Sequence, residues 1–246
     1  MRFKGLSAAF LYLPLVWSTA VAGPDLSGIW VLKGRAVERE LVMTAEALKI
    51  QGEYDLLNDD PSLQCEPASL SRVWANPNSR FKIEQTETQV LILYELFDLR
   101  RTIPIGDANV LTDTPSTKNL DGLNFRKMGS SFAWYEGEQL LVETRKHSPG
   151  YIRTSRGIPQ SEFTVVTEEF WLQGDTLHLK LTYDDDTLFE FPFIIDHTFN
   201  RIEGSEISLY DCEGADYDWF EKLNAPEPGS EPGSEPGSEP SFRMNK

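Results

Sequence analysis

Between Thr176 and Tyr183, the residues Leu177, Leu179, Leu181 and Tyr183 alternate with His178, Lys180 and Thr182. A period of two belongs to a strand with one buried and one wet face, because successive side chains leave a pleated backbone on opposite sides. Gly174 and Asp175 stand just before it and suit the positive φ of a tight hairpin turn, with residues 163–172 as the partner strand. A lone hairpin is marginal in water, so the apolar face must be continued by other strands. Strand-like runs at 26–32, 81–86, 89–97, 100–105, 131–136, 139–146, 188–199 and 207–212 can continue it, separated by turn formers such as Asn76, Pro77 and Asn78. About ten short strands at near-regular spacing predict an all-β chain folded as an antiparallel barrel or sandwich. One short helix is expected near the N-terminus at 44–56, with Thr44 as its N-cap and Leu48 and Leu56 on one side.

The two ends of the chain read differently from this middle. Arg2 and Lys4 precede an apolar run broken by Pro14, and Ala20-Val21-Ala22 offers small residues for cleavage. Residues 1–22 are therefore expected to be a signal peptide, and the protein to be exported to a periplasm or the exterior. No later segment is long and apolar enough to suggest membrane insertion. Glu-Pro-Gly-Ser repeats fill the last stretch, so 225–246 is expected to be a disordered tail and 23–224 the barrel domain. The formal charge is −16, and removing Arg2 and Lys4 makes it more negative, which disfavours nucleic acid as a partner. Cys65 and Cys212 are the two cysteines. In an oxidising compartment an even pair is expected to close as a disulfide.

Local motifs for chemistry are few. The chain has no Gly-rich phosphate loop, no Cys-x-x-Cys, no His-Glu-x-x-His and no Gly-x-Ser-x-Gly, so no cofactor is expected. Asp211, Glu213, Asp216 and Asp218 lack the spacing of a calcium loop and read as a solvated rim, so no metal is expected either. Glu95 ends an otherwise apolar strand, and Arg100 and Arg101 follow across a short turn. That arrangement fits an ion pair between Glu95 and one of the arginines, or a general acid or base tuned by burial. His147 reads as a solvated loop histidine or a residue at the barrel mouth, His178 as exposed and His197 as a satisfied core residue. Tyr94, Trp134, Tyr151 and Arg153, with Arg156, supply stacking faces and anion-binding forks around the same mouth, which the long connection at 106–127 also frames.

A resemblance spans most of the middle. Asp25-Leu26-Ser27-Gly28-Ile29-Trp30, Asp60-Pro61 with Cys65 and Pro67, Gln85-Thr86, and Glu136-Gly137-Glu138-Gln139-Leu140-Leu141-Val142 resemble a widespread family of secreted bacterial β-barrel proteins of unassigned function. Pro159, Ser161, Glu168, Phe170 and the segment around Cys212 fall where that pattern places them. Members usually carry histidines where this chain has Ser130 and Gln160, and often an arginine where it has Trp134, so His-based chemistry of the family would be lost or relocated here. Gly28-x-Trp30 is also similar to the first strand of lipocalins. The resulting reading is a barrel that binds a small, partly apolar molecule. The alternatives are a cofactor-independent lyase, isomerase or hydrolase using Glu95, Arg100 or Arg101, and His147, and a cell-envelope interaction module.

Overall fold

The computed structural model describes residues 23–203 and 206–214. The expected signal peptide and repeat tail lie outside the described residues. In chain order the strands are Gly28–Leu32 (β1), Val37–Glu38 (β2), Arg80–Gln85 (β3), Gln89–Tyr94 (β4), Arg100–Pro104 (β5), Thr117–Lys118 (β6), Ser130–Glu136 (β7), Gln139–Arg145 (β8), Gly150–Arg153 (β9), Ile158–Gln160 (β10), Val165–Gln173 (β11), Thr176–Asp184 (β12) and Phe193–Ile202 (β13). Three α-helices, Ala45–Glu53 (α1), Leu56–Asp59 (α2) and Leu70–Trp74 (α3), fall between β2 and β3.

The expected all-β architecture is what forms. Nine strands run β5-β4-β3-β1-β13-β12-β11-β8-β7 in one antiparallel ladder, with β6 added to the outer edge of β5. In β12 the alternating residues Leu177, Leu179, Leu181 and Tyr183 are all buried. An antiparallel ring with an odd number of strands must bring two parallel strands together where it closes. That junction is a parallel bridge between Ile105 and Ala133, with Gly106 N donating to Ala133 O at 2.8 Å. The barrel therefore has one seam, between β5 and β7, that is poor in backbone hydrogen bonds.

Several elements depart from the sequence reading. The expected helix forms as α1, capped by Thr44, whose Oγ1 accepts from Ala47 N at 3.2 Å, but it ends at Glu53, so Leu56 opens α2 instead and both Leu48 and Leu56 are exposed. The last expected strand, at 207–212, is instead an extended strap without strand pairing. The strand expected from 188 starts at Phe193, and Phe191 lies outside it, 69% exposed. The long connection at 106–127 is given order by two 3-10 turns and by β6.

α3 decides what the barrel contains. Ser69 caps it, with Oγ accepting from Arg72 N at 3.1 Å, and the same hydroxyl donates to Ile152 O at 2.9 Å. Ser71 N donates to the Tyr183 hydroxyl at 2.9 Å. The Trp74 ring meets Phe81 on β3, Tyr94 on β4, Phe170 on β11 and Phe199 on β13, at centroid separations of 4.9, 5.1, 5.7 and 5.8 Å. β4 and β11 lie on opposite arcs of the ring, so one indole spans the lumen. The interior is a packed core with α3 as its plug, not an open cup.

Cys65 and Cys212 are bonded, with Cα atoms 5.9 Å apart across a sequence separation of 147. Chain entropy alone assigns such a loop at most about 5 kcal/mol. The bond ties the approach to α3, through Cys65, to the C-terminal strap.

Candidate functional site

Two regions gather polar groups. The first lines the inner wall along the seam. Arg101 and Glu168 are both fully buried and paired, with Arg101 Nη1 to Oε1 at 2.9 Å and Nη2 to Oε2 at 2.5 Å. Nη2 also donates to Ser131 Oγ at 3.0 Å and Thr144 Oγ1 at 2.9 Å, and Trp74 Nε1 donates to Glu168 Oε1 at 2.8 Å. These side chains come from β5 on one side of the gap in the backbone ladder and from β7, β8 and β11 in succession on the other. The cluster thus links β5 from inside to three strands with which it shares almost no backbone hydrogen bonds. Burial works against the Arg101 charge, but the Glu168 carboxylate outweighs it and holds the pKa above its usual value. The pairing expected between Glu95 and an arginine of the turn does not form. Arg101 takes Glu168 instead.

Glu168 shows how the sequence could have announced it. It shares strand parity with Val166 and Phe170, which are both buried, so an acid there must point inward. Arg101 likewise shares parity with Ile103, whereas Arg100 shares it with the exposed Thr102.

His147 sits at the end of this cluster and is buried, not solvated as expected. Its Nδ1 lies 3.1 Å from Lys127 O and Nε2 has no hydrogen-bond partner. Burial pushes its pKa down to about 4, so the ring is neutral. Gly129 allows this approach: its φ is +66°, and a Cβ there would lie 2.6 Å from Arg145 O and 2.9 Å from the His147 ring. Gln160 Nε2 donates to the same Lys127 O at 3.0 Å and to Ser148 O at 3.3 Å, and Ser130 Oγ accepts from Thr112 N at 3.3 Å. Ser130 and Gln160 thus tie loops to the wall. His197 is in the core as expected but is not satisfied: neither ring nitrogen has a partner, and burial, then Arg153, pushes its pKa down to about 3. His178 is half-buried, stacked on Trp171 at 5.1 Å.

The second region is the outer face of β1, β3 and β4 beneath the strap. The turn from β4 to β5 places Phe97 and Asp98 at φ of 56° and 53°, an uncommon conformation for residues with a side chain. This turn holds the strap. Glu95 accepts from Arg80 N at 2.7 Å with Oε2 and from Ser208 N at 3.1 Å with Oε1, with Arg80 Nε at 3.9 Å. Asp98 Oδ1 accepts from Tyr210 N at 3.0 Å, Tyr210 packs edge-on against Phe97 at 5.5 Å, and Arg80 Nη1 donates to Glu206 O at 3.3 Å. Under the strap lies a pocket of about 290 Å³, walled by Ile29, Leu93, Ile207 and Leu209 and bearing Lys82, Arg100, Asp98 and Glu206. Lys82 is neutralised by Glu84 at 2.7 Å. Arg100 has no ion pair among the described residues.

The remaining expected site residues do not join either region as a group. Tyr94 alone borders the strap pocket, with its ring buried against Trp74, its hydroxyl without a partner, and its pKa raised by burial. Trp134 is half-buried and stacks on Phe132 at 5.5 Å. Tyr151 packs edge-on against Tyr54 at 4.4 Å. Arg153 pairs with Glu38 at 2.8 Å, and Arg156 with the same carboxylate, so these two arginines clamp β2 rather than present free forks. β5 and β7 run parallel, so the turn after Glu95 and the end of β8 that leads to His147 lie at one end of the barrel. They share that end without sharing a pocket. Among the described residues no group of three or more His, Cys, Asp or Glu side chains gathers as a metal site. No helix there is long and apolar enough to cross a membrane.

No protein-family model and no curated protein matches the chain. Among solved structures it is similar to the fluorescent protein UnaG, at 12% identity and a TM-score of 0.38 over 72% of this chain and 97% of that one. It is similar to a secretory abundant heat soluble protein from Ramazzottius varieornatus, at 12% identity and 0.36 over 74% and 98%. A further match is the REP1-NXSQ fatty acid transporter, at 11% identity and 0.37 over 74% and 98%. At such scores the likeness carries no weight here, and the barrel assignment rests on the strand ladder itself.

Proposed function

We propose that this protein is an exported β-barrel that binds a small, partly apolar molecule, and that the molecule sits in the pocket beneath the C-terminal strap. Residues 23–224 make up the working domain in this reading, with 1–22 removed on export and 225–246 as a solvated tail. The observation that supports it is the construction of the strap. One disulfide, two carboxylate-to-amide bonds and an aromatic contact hold a segment without strand pairing across a pocket of about 290 Å³ that is part apolar and part charged. A chain that needed the strap only for stability would gain more by packing it down onto Ile29 and Leu93. The enzymatic alternative has less support, since Glu95 is engaged by two backbone amides and His147 is buried away from it.

Native mass spectrometry of the purified full chain tests this, with Leu93→Trp as the variant whose added bulk fills the pocket. A retained small molecule is expected in the wild type and not in the variant. Retention by the variant would place binding elsewhere. A wild type that carries nothing, and whose Ser208 and Tyr210 amide signals respond to no added small molecule, would overturn the reading.

A further inference from the structure

Among the described residues, several charges under the strap are left without ion-pair partners. Arg100 and Asp98 stand two residues apart, line the same pocket, and do not pair with each other. Asp98 accepts from Tyr210 N with one carboxylate oxygen, and neither Asp98 nor the side chain of Glu206 at the pocket rim has an ion pair among the described residues. Lys82 is already answered by Glu84. The pocket therefore holds one guanidinium and two carboxylates that face a shared space without satisfying one another, beside an apolar wall of Ile29, Leu93, Ile207 and Leu209.

Charged groups drawn partly out of water are stabilised by opposite charge, and an arginine fork fits a carboxylate in a bidentate manner. A simple anion would satisfy Arg100 but meet the repulsion of Asp98 and Glu206. A simple amine would satisfy the acids but meet Arg100. We infer that the pocket takes a small zwitterion with an apolar body, of the chemical class of a free aromatic or aliphatic amino acid, its carboxylate on Arg100 and its ammonium toward Asp98. This rests on the strap pocket being the binding site. The volume of about 290 Å³ leaves room for a molecule of that class.

The test uses the full chain and four probes of nearly one shape: L-phenylalanine, 3-phenylpropanoate without the amine, 2-phenylethylamine without the carboxylate, and the uncharged 2-phenylethanol. Affinities are read from amide shifts of Ser208 and Tyr210. L-phenylalanine is expected to bind tightest, by about tenfold or more over either singly charged probe. Arg100→Gln should weaken L-phenylalanine and 3-phenylpropanoate by about tenfold and leave 2-phenylethylamine unchanged or better bound. Asp98→Asn, which keeps an acceptor for Tyr210 N, should do the reverse. These are ratios between probes on one protein, so a loss of stability in either variant does not imitate them. Equal affinities for all four probes, with shifts at the strap, would overturn the zwitterion while leaving the pocket as a binding site. Absence of any strap shift with every probe would overturn both.

Discussion

The two sides of the barrel wall are built from different materials. Along β11, β12 and β13 the backbone ladder is continuous, with nine partnered residues between β11 and β12 and eight between β12 and β13, and the inner face is aliphatic and aromatic except for His197 on β13 and Glu168 on β11, which reaches toward the seam. Along the seam the backbone contributes one bridge and one hydrogen bond, and the inner face carries an arginine, a glutamate and two hydroxyls. The contrast is that the buried ion pair joins β5 to β11 across the lumen beside the seam, linking two parts of the wall that share no backbone ladder. On the ladder side, hydrophobic burial can be plain because register is already fixed by backbone hydrogen bonds. At the seam, side-chain hydrogen bonds must fix which strand meets which.

The largest expected effect is at the seam. Arg101→Met leaves Glu168 buried without its charge partner, which costs about 3–5 kcal/mol. Chemical denaturation should show this loss, and hydrogen exchange at the Gly106 amide should rise ahead of global unfolding. Replacing both partners, as Arg101→Met with Glu168→Met, should recover most of the stability but not the protection of Gly106. If the double variant keeps that protection, the cluster is not the seam's clasp.

Leu179→Ala probes the ladder side. Removing a fully buried Leu side chain is expected to cost about 3 kcal/mol. Exchange at Gly106 should stay as slow as the reduced global stability allows, because the cavity opens behind an intact ladder. An early opening of Gly106 in this variant would erase the distinction between the two walls.

The two buried histidines give each side a pH probe, with His147 beside the seam and His197 on β13. Both have folded pKa values below the unfolded value near 6.5, at about 4 and about 3. Between those limits the unfolded chain binds more protons than the folded one, so stability is complete above pH 6.5 and falls as pH drops. The slope is at most about 1.4 kcal/mol per pH unit for each ring. His147→Asn, which keeps a donor near Lys127 O, should remove one ring's share of the slope. An unchanged slope from pH 6.5 to 4.5 would show that His147 is not held neutral by burial.

The smallest effect is expected for Ser131→Ala, which removes one acceptor of Arg101 while Thr144 and Glu168 remain. About 1 kcal/mol is expected, read as a shift in denaturation midpoint. A loss as large as that of Arg101→Met would mean that the hydroxyls, not the carboxylate, carry the seam.

What the sequence determined by itself is what depends on near neighbours in the chain. The alternation of Leu177, Leu179, Leu181 and Tyr183 fixed β12 and Thr44 fixed the start of α1, while strand parity, had it been read along β5 and β11, would have pointed Arg101 and Glu168 inward. The lone pair of cysteines, in a chain read as exported, was enough to pair Cys65 with Cys212. Tertiary structure decided everything that joins distant segments. Nothing near Trp74 in the chain shows that it spans a lumen between β4 and β11, because that follows from where the ring closes. Glu95 was given to Arg80 and Ser208 rather than Arg101 because the turn through Phe97 and Asp98 points it outward, to where the strap arrives. The strap itself was mistaken for a strand because extended backbone looks the same in sequence whether or not a partner edge is free to pair, and the edges of β1, β3 and β4 were already taken.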